Sequence, residues 1–316
     1  MNITTHLRRN AMNDPITRTT AFERWNAPLA YICPVCADRH GTPAAPHLAY
    51  DGAHSLVCPR GHCFDISAGG YVNLLLPQHK NVRDPGDSRE MVKARSEFLG
   101  SGAYEPLRNA LCGAVRELCA DIAEPAAADC GCGELYYTQE LHRTLAEGGR
   151  NAVLYALDIS KQALNAGRAR VTDRLFPAVA SCFRLPIADG ALDLAAVVFA
   201  PMCTGELLRV LRQGGFAVEA IPAREHLFGL KSLLYERPYY NTVKPYETEG
   251  FEFIGKRAVT CEIRLDSQQL LNALFTMTPY YYKTSPADAA ALYSYFGTHE
   301  RFCDTAAFEV LMYRKK

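Results

Sequence analysis

The sequence predicts an α/β protein, a doubly wound parallel sheet preceded by a small metal-stapled module. Three observations carry this reading. From residue 104 onward, helical and strand-like stretches alternate, as they do where crossover helices join parallel strands. A glycine-rich turn, Asp129-Cys-Gly-Cys-Gly-Glu134, lies between an apolar run and a helical pattern. Residues 28–75 are dense in Cys, His, Pro and Gly, and their apolar runs are too short to build a core unaided.

The bulk composition is that of a globular chain. Hydrophobic residues make up 48% of the 316 positions, so a sizeable core is affordable. Lys plus Arg and Asp plus Glu both number 34, so any contact with nucleic acid must come from a local patch. No apolar run approaches a membrane span, and residues 1–20 have no apolar segment of the secretory kind. A cytoplasmic protein is expected. Its 12 cysteines are then read as metal ligands where the spacing is right and as small buried side chains elsewhere.

Four segments follow in order. Residues 1–27 are polar and aperiodic and read as a disordered extension. Residues 28–75 form the zinc-binding module. Residues 76–103 hold a loop, LPQHKNVRDPGDS, and a helix, REMVKARSEFLG, with Met91, Arg95, Phe98 and Leu99 at helical spacing. Residues 104–316 form the large domain. There, Pro106 opens a helix, AAADC leads into the glycine turn, and a helix follows near 137–147. The strand AVLYALD ends at Asp158, and KQALNAGRARV reads as a helix. ALDLAAVVFA is a buried strand, GELLRVLRQGG a helix stopped by glycine, and FAVEAIP a further strand. Beyond residue 224 a helical stretch precedes strand-like pieces near 251–265 and 307–314.

The module carries C-x2-C at Cys33 and Cys36, then C-x3-H at Cys58 and His62. Two short chelating pairs on two turns close a tetrahedron of three thiolates and one imidazole, the composition of a structural zinc site. Cys63, His40, His47 and His54 are the alternatives for the fourth position, with His62 favoured by its spacing.

In the glycine turn, Gly131 and Gly133 allow close approach of backbone to a ligand at a helix N-terminus. Asp129 and Glu134 flank them. Asp158 ends the next strand, where an acid bonds ribose hydroxyls in doubly wound nucleotide sites. NAD and S-adenosylmethionine (SAM) are the two candidate ligands. The downstream segments RLPIADGALDLAAVVF and LLRVLRQGGF resemble the later motifs of class I (Rossmann-like) SAM-dependent methyltransferases, which favours SAM. On that reading Cys130 and Cys132 are small residues of the cradle.

A more specific resemblance covers residues 30–316. The zinc ribbon is followed by GYVNLL, by HK-x2-RDPGDS and by M-x2-AR-x2-FL, and then by the methyltransferase motifs. This combination resembles the 23S rRNA (guanine-N1)-methyltransferase family. The resemblance implies a SAM-dependent homodimer that methylates N1 of one guanine in a domain II hairpin of 23S rRNA, with nucleotide 745 favoured over 748 by the intact linker motif. By position it implies SAM contacts from Tyr104, Gly133, Glu134 and His226. The family usually carries glycine where this chain has Leu135. His79, Lys80, Arg83 and Arg95 are expected to contact RNA. Asp84 is the candidate general base, while Asp87 is read as a helix N-cap and Asp193 as a structural acid. A small-molecule methyltransferase and an rRNA-binding factor without activity are the competing readings.

Overall fold

The computed structural model describes residues 22–79, 86–243 and 245–316. Its centre is an eight-stranded sheet in the order β10-β11-β9-β8-β5-β6-β7-β4. The strands are β4 (Val72–Asn73), β5 (Ala126–Cys130), β6 (Val153–Asp158), β7 (Leu175–Val179), β8 (Leu192–Val198), β9 (Leu211–Pro222), β10 (Phe251–Leu265) and β11 (Phe302–Lys315). β4 through β9 pair in parallel, and β11 runs antiparallel to both β9 and β10.

Both faces of this sheet are covered, which explains the continuous apolar runs of its inner strands. Every residue of β8 is buried. Along it, Leu194, Ala196 and Val198 join one core with Leu107, Leu111 and Phe308, while Ala195 and Val197 join another with Trp25, Tyr31 and Phe176. That alternation is the two-residue period of a strand. On the first face lies the helix Glu105–Leu118, with Pro106 in its first turn and Leu107, Leu111, Ala114 and Val115 buried.

The second core unites the two parts of the chain. The zinc module contributes a three-stranded antiparallel sheet, β1 (Ala49–Tyr50), β2 (Ser55–Val57) and β3 (Cys63–Asp65). It docks through backbone bonds from Ile32 N to Pro186 O and from Ala188 N to Ala30 O, and β4 adds itself to the edge of the large sheet beside β7. Cys33, Cys36 and Cys58 therefore share a core with Phe176 and Val197.

Three expectations change. The extension read as disordered through residue 27 is ordered within its described part: Trp25 is fully buried, packed against Phe176 with ring centroids 5.1 Å apart, and Arg24 donates to Gly70 O. One large aromatic side chain outweighed the polar composition around it. The helix expected over GELLRVLRQGG ends at Val210, and Leu211 already begins β9. Residues 212–215 form an irregularity in the β8–β9 pairing, with Leu192 opposite Leu211 and Leu194 opposite Phe216. Finally, β4 and β7 are strands that the sequence pattern did not separate from their surroundings. Among the described residues, no helix is long and apolar enough to cross a membrane.

Candidate functional site

The four zinc-module ligand candidates come together. The Sγ atoms of Cys33, Cys36 and Cys58 and the His62 imidazole lie within 4.8 Å of one another. His62 Nδ1 is 3.4 Å from the Sγ of Cys33 and Cys36 and 3.3 Å from that of Cys58. Ordinary zinc–sulfur and zinc–nitrogen bonds set at the tetrahedral angle would separate N from S by about 3.6 Å. The set therefore fits a zinc ion closely. The local chain makes this possible: Pro34 starts a helix at Cys33, and Gly61, at φ +84°, lets Cys58 N reach His62 O. The rival ligands are elsewhere. Cys63, His40 and His54 are exposed, and His47 Nδ1 is bonded to Leu29 O.

The second site opens where β5, β8 and β9 end. A cavity of about 770 Å³ is lined by Gly131, Cys132, Gly133 and Glu134, by Tyr104 and His226, and by residues of the linker and the C-terminal insert. Gly131 is irreplaceable on steric grounds: its φ is +91°, and a Cβ there would collide with Ala200. Gly133, at φ +54°, has open space where its side chain would project.

Glu134 is the informative residue. It is 1% exposed, and neither carboxylate oxygen has a hydrogen-bond partner. Arg170 Nη1 stands 3.6 Å from Oε1, an ion pair without a hydrogen bond, while the same nitrogen donates to Glu134 O. Burial raises this carboxyl, opposed by Arg170 and Arg95. A buried acceptor beside a cavity, with its lone pairs unspent, suits an ammonium donor such as an amino-acid head group. Tyr104 is buried on the same wall, edge-on to Phe98 and Phe308 at 5.1 and 5.0 Å. His226 also lines the cavity. Its Nδ1 is unpartnered, and burial pushes the ring down to about 3, so it stands as neutral imidazole.

Other predicted residues take different places. Asp158 faces the turn rather than the cavity: its Oδ2 accepts from Gly133 N at 2.8 Å and its Oδ1 from Ser160 N at 2.7 Å. The Gly133 N–H expected to meet a ligand is thus used to tie the turn to β6. Asp129 lies behind the turn, bonded to Thr138 at 2.6 Å. Cys130 and Cys132 are buried and belong to no group of metal-ligating side chains among the described residues. Ser88, not Asp87, caps the linker helix Arg89–Gly100. Asp87 instead pairs with Arg95 at 2.7 Å, and both line the cavity. Arg95 is therefore a cavity residue rather than part of an outer basic patch. His79 is tied to Asp38 of the zinc module, which also holds Arg184. Asp193 is structural as expected, accepting from Ala126 N and pairing with Arg212. Asp84, Lys80 and Arg83 lie outside the described residues.

Sequence reasoning missed the rim of the cavity. Phe199, Tyr239 and Tyr282 line it and are 41%, 50% and 67% exposed, unusual values for large aromatic side chains. Phe199 also holds a left-handed backbone, φ 55°. Two tyrosine clusters in loops, RPYYN and TPYYYK, were the available signal.

The strand order, the glycine turn after β5 and the cavity at the strand ends define a class I methyltransferase fused to a zinc ribbon. A methyltransferase-domain model matches residues 128–218, and a family model described as "RlmA, N-terminal" matches residues 31–83. A Micromonospora griseorubida protein provisionally named 23S rRNA (guanine-N1-)-methyltransferase is 34% identical over 300 residues, covering 89% of this chain and 96% of its own. The Streptomyces fradiae 23S rRNA (guanine(748)-N(1))-methyltransferase is 33% identical, covering 82% of this chain and 88% of its own. This chain belongs to the 23S rRNA (guanine-N1)-methyltransferase family and is an enzyme of that class.

Proposed function

We propose that this protein uses SAM to methylate N1 of a guanine in a domain II hairpin of 23S rRNA, with zinc held by Cys33, Cys36, Cys58 and His62. The observation that carries the cofactor assignment is Glu134, a buried carboxylate with two unpartnered oxygens on the wall of an aromatic-rimmed cavity. Glu134 would hold the cofactor's ammonium, Tyr104 and neutral His226 would pack against its body, and Gly131 and Gly133 would keep the turn open. SAM supplies a methyl group on a sulfonium, ready for an in-line nucleophile.

What remains is to place guanine N1 and remove its proton. For guanine N1 to accept the methyl group, its proton would have to leave to a base held by this chain. Orientation of the base between aromatic rings would supply much of the acceleration. Phe199, Tyr239 and Tyr282 offer ring faces at the mouth for a base drawn out of its hairpin. Asp87 lines the same cavity, and Asp84 belongs to the same linker motif, so both are candidate proton acceptors. A homodimer belongs to this reading. The free edge of β10, with Phe253 and Ile254 exposed, offers a second copy a surface.

The test is transfer from labelled SAM to a domain II transcript, with the site mapped by primer extension, since N1-methylguanine blocks reverse transcription. The linker motif favours nucleotide 745, whereas the Streptomyces fradiae relative is named for 748. A stop at either guanine supports the reading and selects the nucleotide. SAM binding without transfer would indicate a small-molecule substrate, and absence of SAM binding would indicate an RNA-binding factor without activity.

A further inference from the structure

Behind the aromatic wall of the cavity lies Lys231, fully buried, with no salt bridge among the described residues reaching its ammonium. A cation in such a place is costly unless its protons are well used. Here they are spent on the wall itself. Nζ donates to Tyr239 O at 3.0 Å and to Asn241 Oδ1 at 2.7 Å. It also sits over the rings of Tyr239 and Tyr280, 4.7 and 5.6 Å from their centroids. Tyr239, Tyr280 and Asn241 all line the cavity. The nearest carboxylate influence, Asp304, is occupied in capping the helix Phe228–Leu234 through Gly229 N and Leu230 N.

The chemistry fixes how Asn241 is turned. An ammonium only donates, so the atom that meets it must be Oδ1. The other side of the amide donates from Nδ2 to Ala223 O at 2.9 Å, and a carbonyl can only accept. Both contacts demand the same orientation. One N–H of Nδ2 and one lone pair of Oδ1 are left over from these two contacts, on a residue that lines the cavity.

We infer that Asn241 reads the O6 side of the target guanine and that Lys231 is the positioning residue that presents it. This rests on the assignment of guanine N1 as the methyl acceptor. Beside N1, guanine carries an acceptor, O6, and a donor, the 2-amino group. The spare N–H of Asn241 complements O6. When the N1 proton leaves, negative charge spreads onto O6, so a donor there binds the transition state more strongly than the neutral base. Lys231, on the far side of the amide, polarises it in the helpful direction.

The experiment compares wild type, Asn241→Ala, Lys231→Met and the double variant on two hairpin transcripts, one with guanosine and one with inosine at the target. Inosine keeps O6 and the N1 proton but lacks the 2-amino group. Asn241→Ala and Lys231→Met are each expected to lower kcat about tenfold, the worth of one good hydrogen bond, with KM for RNA and Kd for SAM nearly unchanged. The loss should be the same on inosine, and the double variant no worse than either single one. An unchanged kcat in Asn241→Ala overturns the inference, as does a defect that disappears on inosine. Multiplying defects in the double variant would show that Lys231 acts independently and would remove its positioning role. Asn241 is half-buried at a loop, so its variant carries the test even if Lys231→Met fails to fold. Wild type inactive on both transcripts would instead sink the guanine assignment, and this inference with it.

Discussion

The metal cluster and the cofactor cradle are both short bends shaped by glycine, and both place polar atoms out of water. They differ in where those atoms find partners. In the module, three thiols and one imidazole converge on one point, each within reach of the others. In the cradle, both carboxylate oxygens of Glu134 are buried on the cavity wall with no hydrogen-bond partner. A convergent, complete set of donors is a device for holding a fold together. Unspent acceptors beside a cavity weaken the fold and are retained for a ligand. Changes to the first site should therefore lower stability, and changes to the second should lower binding while relieving the protein.

Cys58→Ser tests the first half and carries the largest expected effect. Metal analysis should show that bound zinc is lost, and Tm should fall by roughly 10 °C or more. The fall extends beyond the module because Cys58 shares a core with Phe176 and Val197. Retention of both metal and Tm would mean that the cluster is not a closed structural site. Glu134→Gln tests the second half. Removing the charge should weaken SAM binding about 100-fold, the scale of a buried charged pair losing one member. The Tm of the cofactor-free variant should hold or rise, read by differential scanning calorimetry. If Glu134→Gln lowered Tm as Cys58→Ser does, the contrast between the two sites would collapse.

The two sites were not equally legible in the sequence. Cys33, Cys36, Cys58 and His62 were readable because metal geometry constrains spacing along the chain, and each pair is local. The alternation of helices and strands was readable from local apolar periodicity, although β7 and the edge strand β4 carried too little pattern, and the order of strands in the sheet came only from the fold. The cradle was readable as a glycine turn, but not the fate of its atoms. Only the fold shows that Asp158 spends both oxygens on Gly133 and Ser160, or that Asp87 pairs with Arg95. Phe199, Tyr239 and Asn241 reach the cavity from strand ends and loops far apart in the chain, and no local spacing connects them. The burial of Trp25 likewise depends on its fit to Phe176.

Asp129 sharpens the contrast through pH. It is 1% exposed, and burial pushes its carboxyl up to about 7, opposed by the Thr138 hydrogen bond and assisted by the charge on Asp158. Folding therefore favours the protonated form. The stability this contributes is fully present below the ordinary aspartate value and is lost as pH rises through about 7. Asp129→Asn cannot ionise. Between pH 5 and pH 8, urea unfolding should shift in favour of the variant by roughly 2 kcal/mol relative to wild type. A difference that does not change with pH would mean that Asp129 stays charged in the folded protein.

The smallest effect concerns Leu135, where the family resemblance implies a glycine. Leu135 has φ 65° and ψ 22°, a left-handed conformation that glycine adopts freely. That backbone demand explains the glycine expected there. Leucine survives because its side chain is fully buried in the cluster with Tyr71, Leu164 and Val179. Gly167 makes the room: a Cβ there would stand 2.5 Å from Glu134 O and 2.9 Å from Leu135 Cγ. The leucine thus sets apolar burial against strain of about 1 kcal/mol. Leu135→Ala removes the burial and keeps the strain, whereas Leu135→Gly removes both. The glycine variant should therefore be more stable than the alanine variant by about 1 kcal/mol, the reverse of their usual order. Its affinity for SAM should match wild type in calorimetric titration, because the turn keeps its shape. If alanine proved the more stable, the cradle would not impose the left-handed turn, and the departure at Leu135 would need a cause outside the backbone.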